Sequence, residues 1–281
     1  MPLCEIVATH GKQNNNTQTL QMKKTLLIAA AALAAGIIST QASSVYSQNI
    51  VGYINTTVPA NGFALVGNQL NLDGTNGISQ VFGSGLVSDV NAVNNTAIYL
   101  WLPGVQQYQS LQYFNATDAA ADWGGPAGFY DGGGTYYNNP LPPGQAAFLL
   151  NVNNSTPLTN TFTGTVPQGT NIMTTVPGFN LYSLSSPVVT NLCDPNGGNY
   201  TGVSDVNAVN NDQVYLWVPS VQQYQALQYF DTTDAAADWG GPAGFYDGGG
   251  TFYNVAPKVG EGFFIDRLVN VTTTWTNKFS F

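Results

Sequence analysis

Six aspartates recur at fixed spacing: Asp118, Asp122 and Asp131, then Asp234, Asp238 and Asp247. Each trio lies in a nineteen-residue segment, Thr117–Thr135, that returns letter for letter as Thr233–Thr251, 116 positions later. If residues 117–122 form a helical turn, Asp118 and Asp122 share one face at i,i+4, where like charges repel by a few tenths of a kcal/mol. Lys and Arg number 6 against 15 acidic residues, so little cationic relief is available. A bound Ca²⁺ would supply it, because the ion takes about six to eight oxygens and nearby carbonyls and Asn side chains could complete the shell. Asp89-Val90-Asn91 and Asp205-Val206-Asn207 offer a sparser second candidate. The competing reading is turn chemistry, in which Asp accepts hydrogen bonds from the backbone where the chain bends. No EF-hand spacing is present.

Aromatic residues are the second resource. Trp123 and Tyr130, with Trp239 and Tyr246, sit in the same repeated segment among Gly, Asp and Asn. Flat rings beside amides and carboxylates can hold a sugar, the ring covering C–H groups while polar atoms take the hydroxyls. These four residues are therefore the candidate ligand contacts, with Trp123 beside Gly-Gly-Pro the least core-like. Tyr99, Trp101, Tyr215 and Trp217 lie on strand-like sequence, and the simpler role for such rings is to fill two small β cores.

Other chemistries are excluded by what is missing. Met22-Lys23-Lys24, an apolar run from Leu26 to Ile38 and Thr40-Gln41-Ala42 read as a signal peptide spanning 22–42, cleaved after Ala42. Residues 1–21 read as an upstream extension ahead of the true initiator. They carry the one His, His10, and one of two Cys, Cys4. The expected mature chain therefore has no His and a lone Cys193, so no Ser–His or Cys–His nucleophile and no His- or multi-Cys zinc site can be assembled. Catalysis is not expected, although paired carboxylates leave a glycoside hydrolase as a third reading. Three cations, Lys258, Arg267 and Lys278, cannot track a phosphate backbone, which argues against nucleic acid. No segment after residue 42 is long and apolar enough for a membrane-spanning helix.

The elements that would position these residues are strands and turns. Val87–Asn138 aligns without a gap to Val203–Asn254, with nine differences in 52 positions. Fainter likeness extends outward, giving two tandem repeats of about 116 residues, 43–168 and 169–281, too long a period for a solenoid. Thr96–Leu102 alternates, Ile98, Leu100 and Leu102 on one face and Tyr99 and Trp101 on the other. Pro103-Gly104 turns it into a return strand, Val105–Phe114. Thr117–Asp122 reads as a helical turn capped by Thr117 or Asp118, Ser79–Phe82 as a short helix, and Ala146–Val152 as a strand. The expected fold is all-β: two sandwich- or barrel-like units, either independent or exchanging their end strands about a pseudo-two-fold axis.

The strand opening Asn49-Ile50-Val51-Gly52-Tyr53, the Tyr-Leu-Trp strand with its Tyr-rich return, and the turn Val259-Gly260-Glu261-Gly262-Phe263 resemble a group of exported verrucomicrobial and related bacterial proteins of unknown function. The resemblance implies export and a β fold, and it brings no activity and no site residues. Repeat one departs from the turn motif with Pro143-Gly144-Gln145-Ala146-Ala147. The expectation is a secreted, non-enzymatic structural or adhesive protein, extracellular, at the cell surface or periplasmic, with self-association or a polysaccharide as partner. A carbohydrate-binding module, with or without Ca²⁺, is the alternative.

Overall fold

The computed structural model describes residues 50–83 and 85–279. The expected signal peptide and upstream extension lie outside them. The first repeat runs β1 (Val51–Val58), β2 (Gly62–Gly67), α1 (Ile78–Val81), β3 (Ala97–Leu102), β4 (Gln107–Phe114), α2 (Ala116–Asp122), β5 (Gly128–Tyr130), β6 (Tyr136–Tyr137), β7 (Ala146–Asn151) and β8 (Leu158–Thr165). The second runs β9 (Gly169–Thr175), β10 (Gly178–Ser183), β11 (Gln213–Val218), β12 (Gln223–Phe230), α3 (Thr232–Asp238), β13 (Gly244–Tyr246), β14 (Phe252–Tyr253), β15 (Gly262–Arg267) and β16 (Thr273–Phe279).

Each repeat folds into a six-stranded antiparallel sheet, ordered β2-β7-β3-β4-β5-β6 in one half and β10-β15-β11-β12-β13-β14 in the other. A two-stranded ribbon, β1 with β8 or β9 with β16, covers one face of the sheet. Exchange of end strands between repeats does not occur: β1 pairs with β8 over the full register from Val51↔Thr165 to Val58↔Leu158. The reason lies in which side chains the ribbon must bury. Ile54 and Val58 of β1 and Leu158 and Phe162 of β8 pack into one core with Ile98, Leu111, Leu149 and Phe129 of the same repeat. Met173 of β9 and Trp275 of β16 join Val214, Leu227, Phe245 and Phe263 in the other. The buried residues of each core thus come from one repeat, with Val259 and Phe279 of the second packing against the core of the first.

The opposite face of each sheet meets the other repeat. Alternation along β3 sends Ile98 and Leu100 to the half's own core, while Tyr99 and Trp101 point the other way. They join Phe63, Leu65 and Phe148, and the matching Phe179, Leu181, Tyr215, Trp217 and Phe264, in a third, shared core. Tyr99, Trp101, Tyr215 and Trp217 therefore fill neither repeat's own core, contrary to the simpler expectation. They are the surface on which the halves join.

The joint has pseudo-two-fold symmetry. Bridges Val66↔Glu261 and Gln145↔Tyr182 are equivalent under the repeat offset, as are the hydrogen bonds from Gly67 N–H to Gly260 and from Ser183 N–H to Gly144 (2.9 and 2.8 Å). Two positions meet their own equivalents on the axis. A Cβ at Gly67 would stand 2.2 Å from that of Ser183, and one at Gly262 would stand 2.6 Å from that of Ala146. A self-contact this close leaves room for one small side chain, not two. At one position of the turn motif where the repeats differ, Ala146 facing Gly262 keeps to this limit.

Candidate functional site

The repeated loop is built by capping and by one tight glycine. Asn115, not Thr117 or Asp118, caps α2, accepting from the N–H groups of Thr117 (2.8 Å) and Asp118 (3.0 Å). Asp231 does the same for α3. Both residues precede the identical segment, so the identity of Thr117–Thr135 alone did not reveal them. Asp118 accepts a short hydrogen bond from Ser88 and another from Asn115 Nδ2 at 2.8 Å. Asp131 accepts from the N–H groups of Gly133 and Thr135, both at 2.9 Å, and from the Tyr137 hydroxyl. The Thr135 backbone bond, with lesser help from Gly133 and Tyr137, holds its carboxyl below the usual range. Asp122 is exposed at the far end of α2.

The three acids of each loop are thus not gathered into one shell. Asp234 bonds Ser204, and Asp247 repeats the turn of Asp131, while Asp238 closes α3. Among the described residues no three His, Cys, Asp or Glu side chains converge as metal ligands. Asp89 and Asp205 likewise spend their carboxylates on turn N–H groups, those of Asn91 and Asn94 and of Asn207 and Asn210.

Tyr130 and Tyr246 are buried, 2% and 1% exposed, and donate to the carbonyls of Pro126 and Pro242 at 2.6 and 2.5 Å. Their rings pack with Phe114 and Phe230 inside the loop. Of the aromatic rings in the repeated segment, the tryptophan is the one exposed to solvent. Trp123 stacks on Tyr130, centroids 6.3 Å apart at 17°. Gly134, at φ +80°, lies so close to the indole that a Cβ there would come within 2.2 Å of Cε3. Trp239 and Gly250 repeat this. Trp123 and Trp239 each keep 39% of their surface exposed, while Tyr130 and Gly134, or Tyr246 and Gly250, pack against part of the indole.

Clefts lined wholly by aromatic residues occur at the joint between the halves. A cleft of about 240 Å³ is walled by Trp101, Tyr108, Phe179, Tyr215, Tyr224 and Phe264. Its pseudo-symmetric twin, about 260 Å³, is walled by Trp217, Tyr224, Phe63, Tyr99, Tyr108 and Phe148. Tyr108 and Tyr224 belong to both, and their hydroxyls pair at the centre. Burial raises both phenols; the partner hydroxyl opposes the rise at Tyr108 and adds to it at Tyr224. The rings stand steeply to one another, Trp101 to Phe264 at 89° and 5.5 Å, Tyr215 to Tyr224 at 90° and 6.2 Å.

Reciprocal clamps hold the clefts in shape. Trp101 donates its indole N–H to the Phe179 carbonyl at 2.8 Å. Gln106 bonds both backbone groups of Phe179, accepting from its N–H at 2.7 Å and donating to its carbonyl at 3.1 Å. Trp217 and Gln222 treat Phe63 identically, at 3.2, 2.9 and 3.1 Å. Each glutamine amide thus behaves like one residue of a neighbouring strand and covers the start of the other half's edge strand. Gln106 and Gln222 adopt φ of +53° and +51°, conformations that cost a non-glycine residue roughly 1–2 kcal/mol. The sequence signal was visible, a Trp five residues before a Gln in both hairpins, but its target lies in the other repeat.

No family model, curated protein or solved structure matches this chain.

Proposed function

We propose that the protein is a secreted, non-enzymatic structural or adhesive component that assembles with copies of itself through its ribbons. The observation carrying this reading is the exposed state of the two ribbons. Strands β1 and β8, eight residues each, contain no charged residue and, apart from one bridge between Asn71 and Thr165, pair only with each other among the described residues. β9 is uncharged too, and β16 carries only Lys278. Tyr53 and Ile172 stand on the outer faces, 74% and 70% exposed. Unpaired, charge-free edges with apolar side chains template strand addition, which is why monomeric proteins guard such edges with Lys or Pro. The nucleophile chemistry available supports a non-enzymatic role. The described residues contain no His, and burial pushes the Cys193 thiol up to about 12.

Polysaccharide binding ranks below assembly, since the loop tyrosines are buried, the loop carboxylates are spent on turn and cap hydrogen bonds, and the clefts offer few groups for sugar hydroxyls. Sedimentation velocity over a concentration series tests the proposal. The wild-type chain should form oligomers that grow with concentration, and Tyr53→Lys with Ile172→Lys should hold it monomeric with an unchanged melting temperature. A wild-type chain that stays monomeric to its solubility limit would overturn the assembly reading.

A further inference from the structure

The paired clefts carry an inference independent of assembly. Their walls are aromatic on every side and present almost no hydrogen-bonding group apart from the tyrosine hydroxyls, two of which are engaged with each other. A sugar or a peptide backbone placed there would leave polar groups unpaired. A ligand that needs no hydrogen bonds fits. Neutral apolar molecules and quaternary ammonium ions both meet that condition, and charge separates them. The chain carries a net charge of −9, which draws cations. Six aromatic side chains wall the cleft of about 240 Å³, and a carboxylate outside that lining stands at the strand position paired with Phe179. Asp266 lies two residues beyond Phe264 on the same sheet face, opposite Phe179 and Gln213, and acts electrostatically on Tyr215. In the twin cleft Leu150 and Ala97 hold the corresponding positions.

We propose that the cleft formed by Trp101, Tyr108, Phe179, Tyr215, Tyr224 and Phe264 is an aromatic cage for a small, free trimethylammonium compound, with Asp266 supplying the counter-charge. Cages of this kind hold quaternary ammonium through the ring quadrupoles. The volume, below the ~300–1,000 Å³ of sites for larger ligands, suits a headgroup-sized molecule. The cleft beside Leu150 should bind the same ion more weakly.

The test uses the full chain and two probes of equal shape, choline and its uncharged carbon isostere 3,3-dimethylbutan-1-ol, followed by tryptophan fluorescence and calorimetry. Choline should bind at least about tenfold tighter than the isostere, the cation–π contribution of a desolvated cage. Asp266→Asn, which keeps the packing, should weaken choline about three- to tenfold and leave the isostere unchanged. Trp101→Leu should abolish the tighter of two choline sites and Trp217→Leu the weaker; circular dichroism confirms that each variant is folded. Equal affinity for the two probes, or no choline binding at millimolar concentration, overturns the assignment. Retention of the protein on phosphatidylcholine vesicles would move the ligand to a lipid headgroup and overturn the free-ligand form of it.

Discussion

The two halves solve one local problem with different chemistry. In each, a buried side chain just before the central strand must accept the N–H of a residue nine positions earlier. In the first half the Thr96 hydroxyl accepts from Val87 at 2.9 Å. In the second the Asp212 carboxylate accepts from Val203 at 2.9 Å, and also from the Tyr200 hydroxyl at 2.7 Å. The matching position at the end of the neighbouring strand is Asn151 in one half and Arg267 in the other. Asn151 donates to the carbonyls of Pro59 and Thr156 at 3.1 and 2.9 Å. Arg267 donates to Val271 at 2.7 Å and to Asp212 at 3.1 Å, with both charged side chains buried. The backbone task survives divergence while its means do not. A neutral latch fails gracefully. An ionic one, desolvated on both sides, leaves a stranded charge when either partner is lost.

That difference sets the largest expected effect. Arg267→Ala should destabilise the protein by about 3–5 kcal/mol, because Asp212 would remain buried without its cation. Asn151→Ala should cost only about 1–3 kcal/mol, the penalty for orphaned neutral groups. Asp212→Thr with Arg267→Asn rebuilds the first half's latch in the second and should recover most of the loss. Urea unfolding of the three variants beside the wild type decides it; a double variant no better than Arg267→Ala would mean that the two latches are not interchangeable.

The symmetry axis gives the next. Gly67→Ser makes the pair at the axis Ser–Ser, and with only 2.2 Å available it should cost about 1–3 kcal/mol as overpacking. Adding Ser183→Gly restores one small side chain to the contact and should return the melting temperature close to wild type. Independent costs that simply add would show that the two positions do not meet.

Alkaline pH should separate the halves again. Tyr182 and Tyr229, both in the second half, are raised to about 12 chiefly by burial. Tyr200 is raised as well, by burial and then by Asp212. An unfolded phenol titrates near 10.0, so the native state favours the protonated form. The associated stability is complete below pH 10 and is lost as pH climbs from 10 through about 12. Val66 holds the position of Tyr182 in the first half, so the second half should open first. Phenolate absorbance and hydrogen exchange across that range check this; simultaneous opening of both halves would contradict it.

Much of this was legible in the chain, and the remainder was hidden for identifiable reasons. Alternation along Ala97–Leu102 separated Ile98 and Leu100 from Tyr99 and Trp101 correctly, because period two is a local property. What covers the second face is not local: Phe264 reaches Trp101 across more than a repeat length. Exchange of end strands between the repeats was one of two readings open from the sequence, because nothing local decides which strand an end strand pairs with. Only Val166-Pro167-Gln168 separate β8 from β9, with Gly169 at φ +86°, yet each strand pairs within its own repeat. The loop acids followed the commonest use of Asp in turns, which residue spacing alone could not distinguish from a metal shell.

The smallest expected effect returns to the identical segments, which begin two residues after caps that differ. Asn115 and Asp231 make the same pair of bonds to the next turn, Asn115 at 2.8 and 3.0 Å and Asp231 at 2.8 and 3.0 Å. Asn and Asp are near-equal caps, so exchanging them should shift stability by less than about 0.5 kcal/mol in either half. One difference remains. Asn115 also donates its amide to Asp118, whereas Asp231, when ionised, has no donor for Asp234 and places a second negative charge beside it. Asp231→Asn should therefore be weakly stabilising and Asn115→Asp weakly destabilising, and the gap between them should shrink as salt screens the carboxylates. Thermal melts at low and high ionic strength measure it. Equal shifts of one sign in both halves would mean that the loops, though identical in sequence, do not sit in equivalent surroundings.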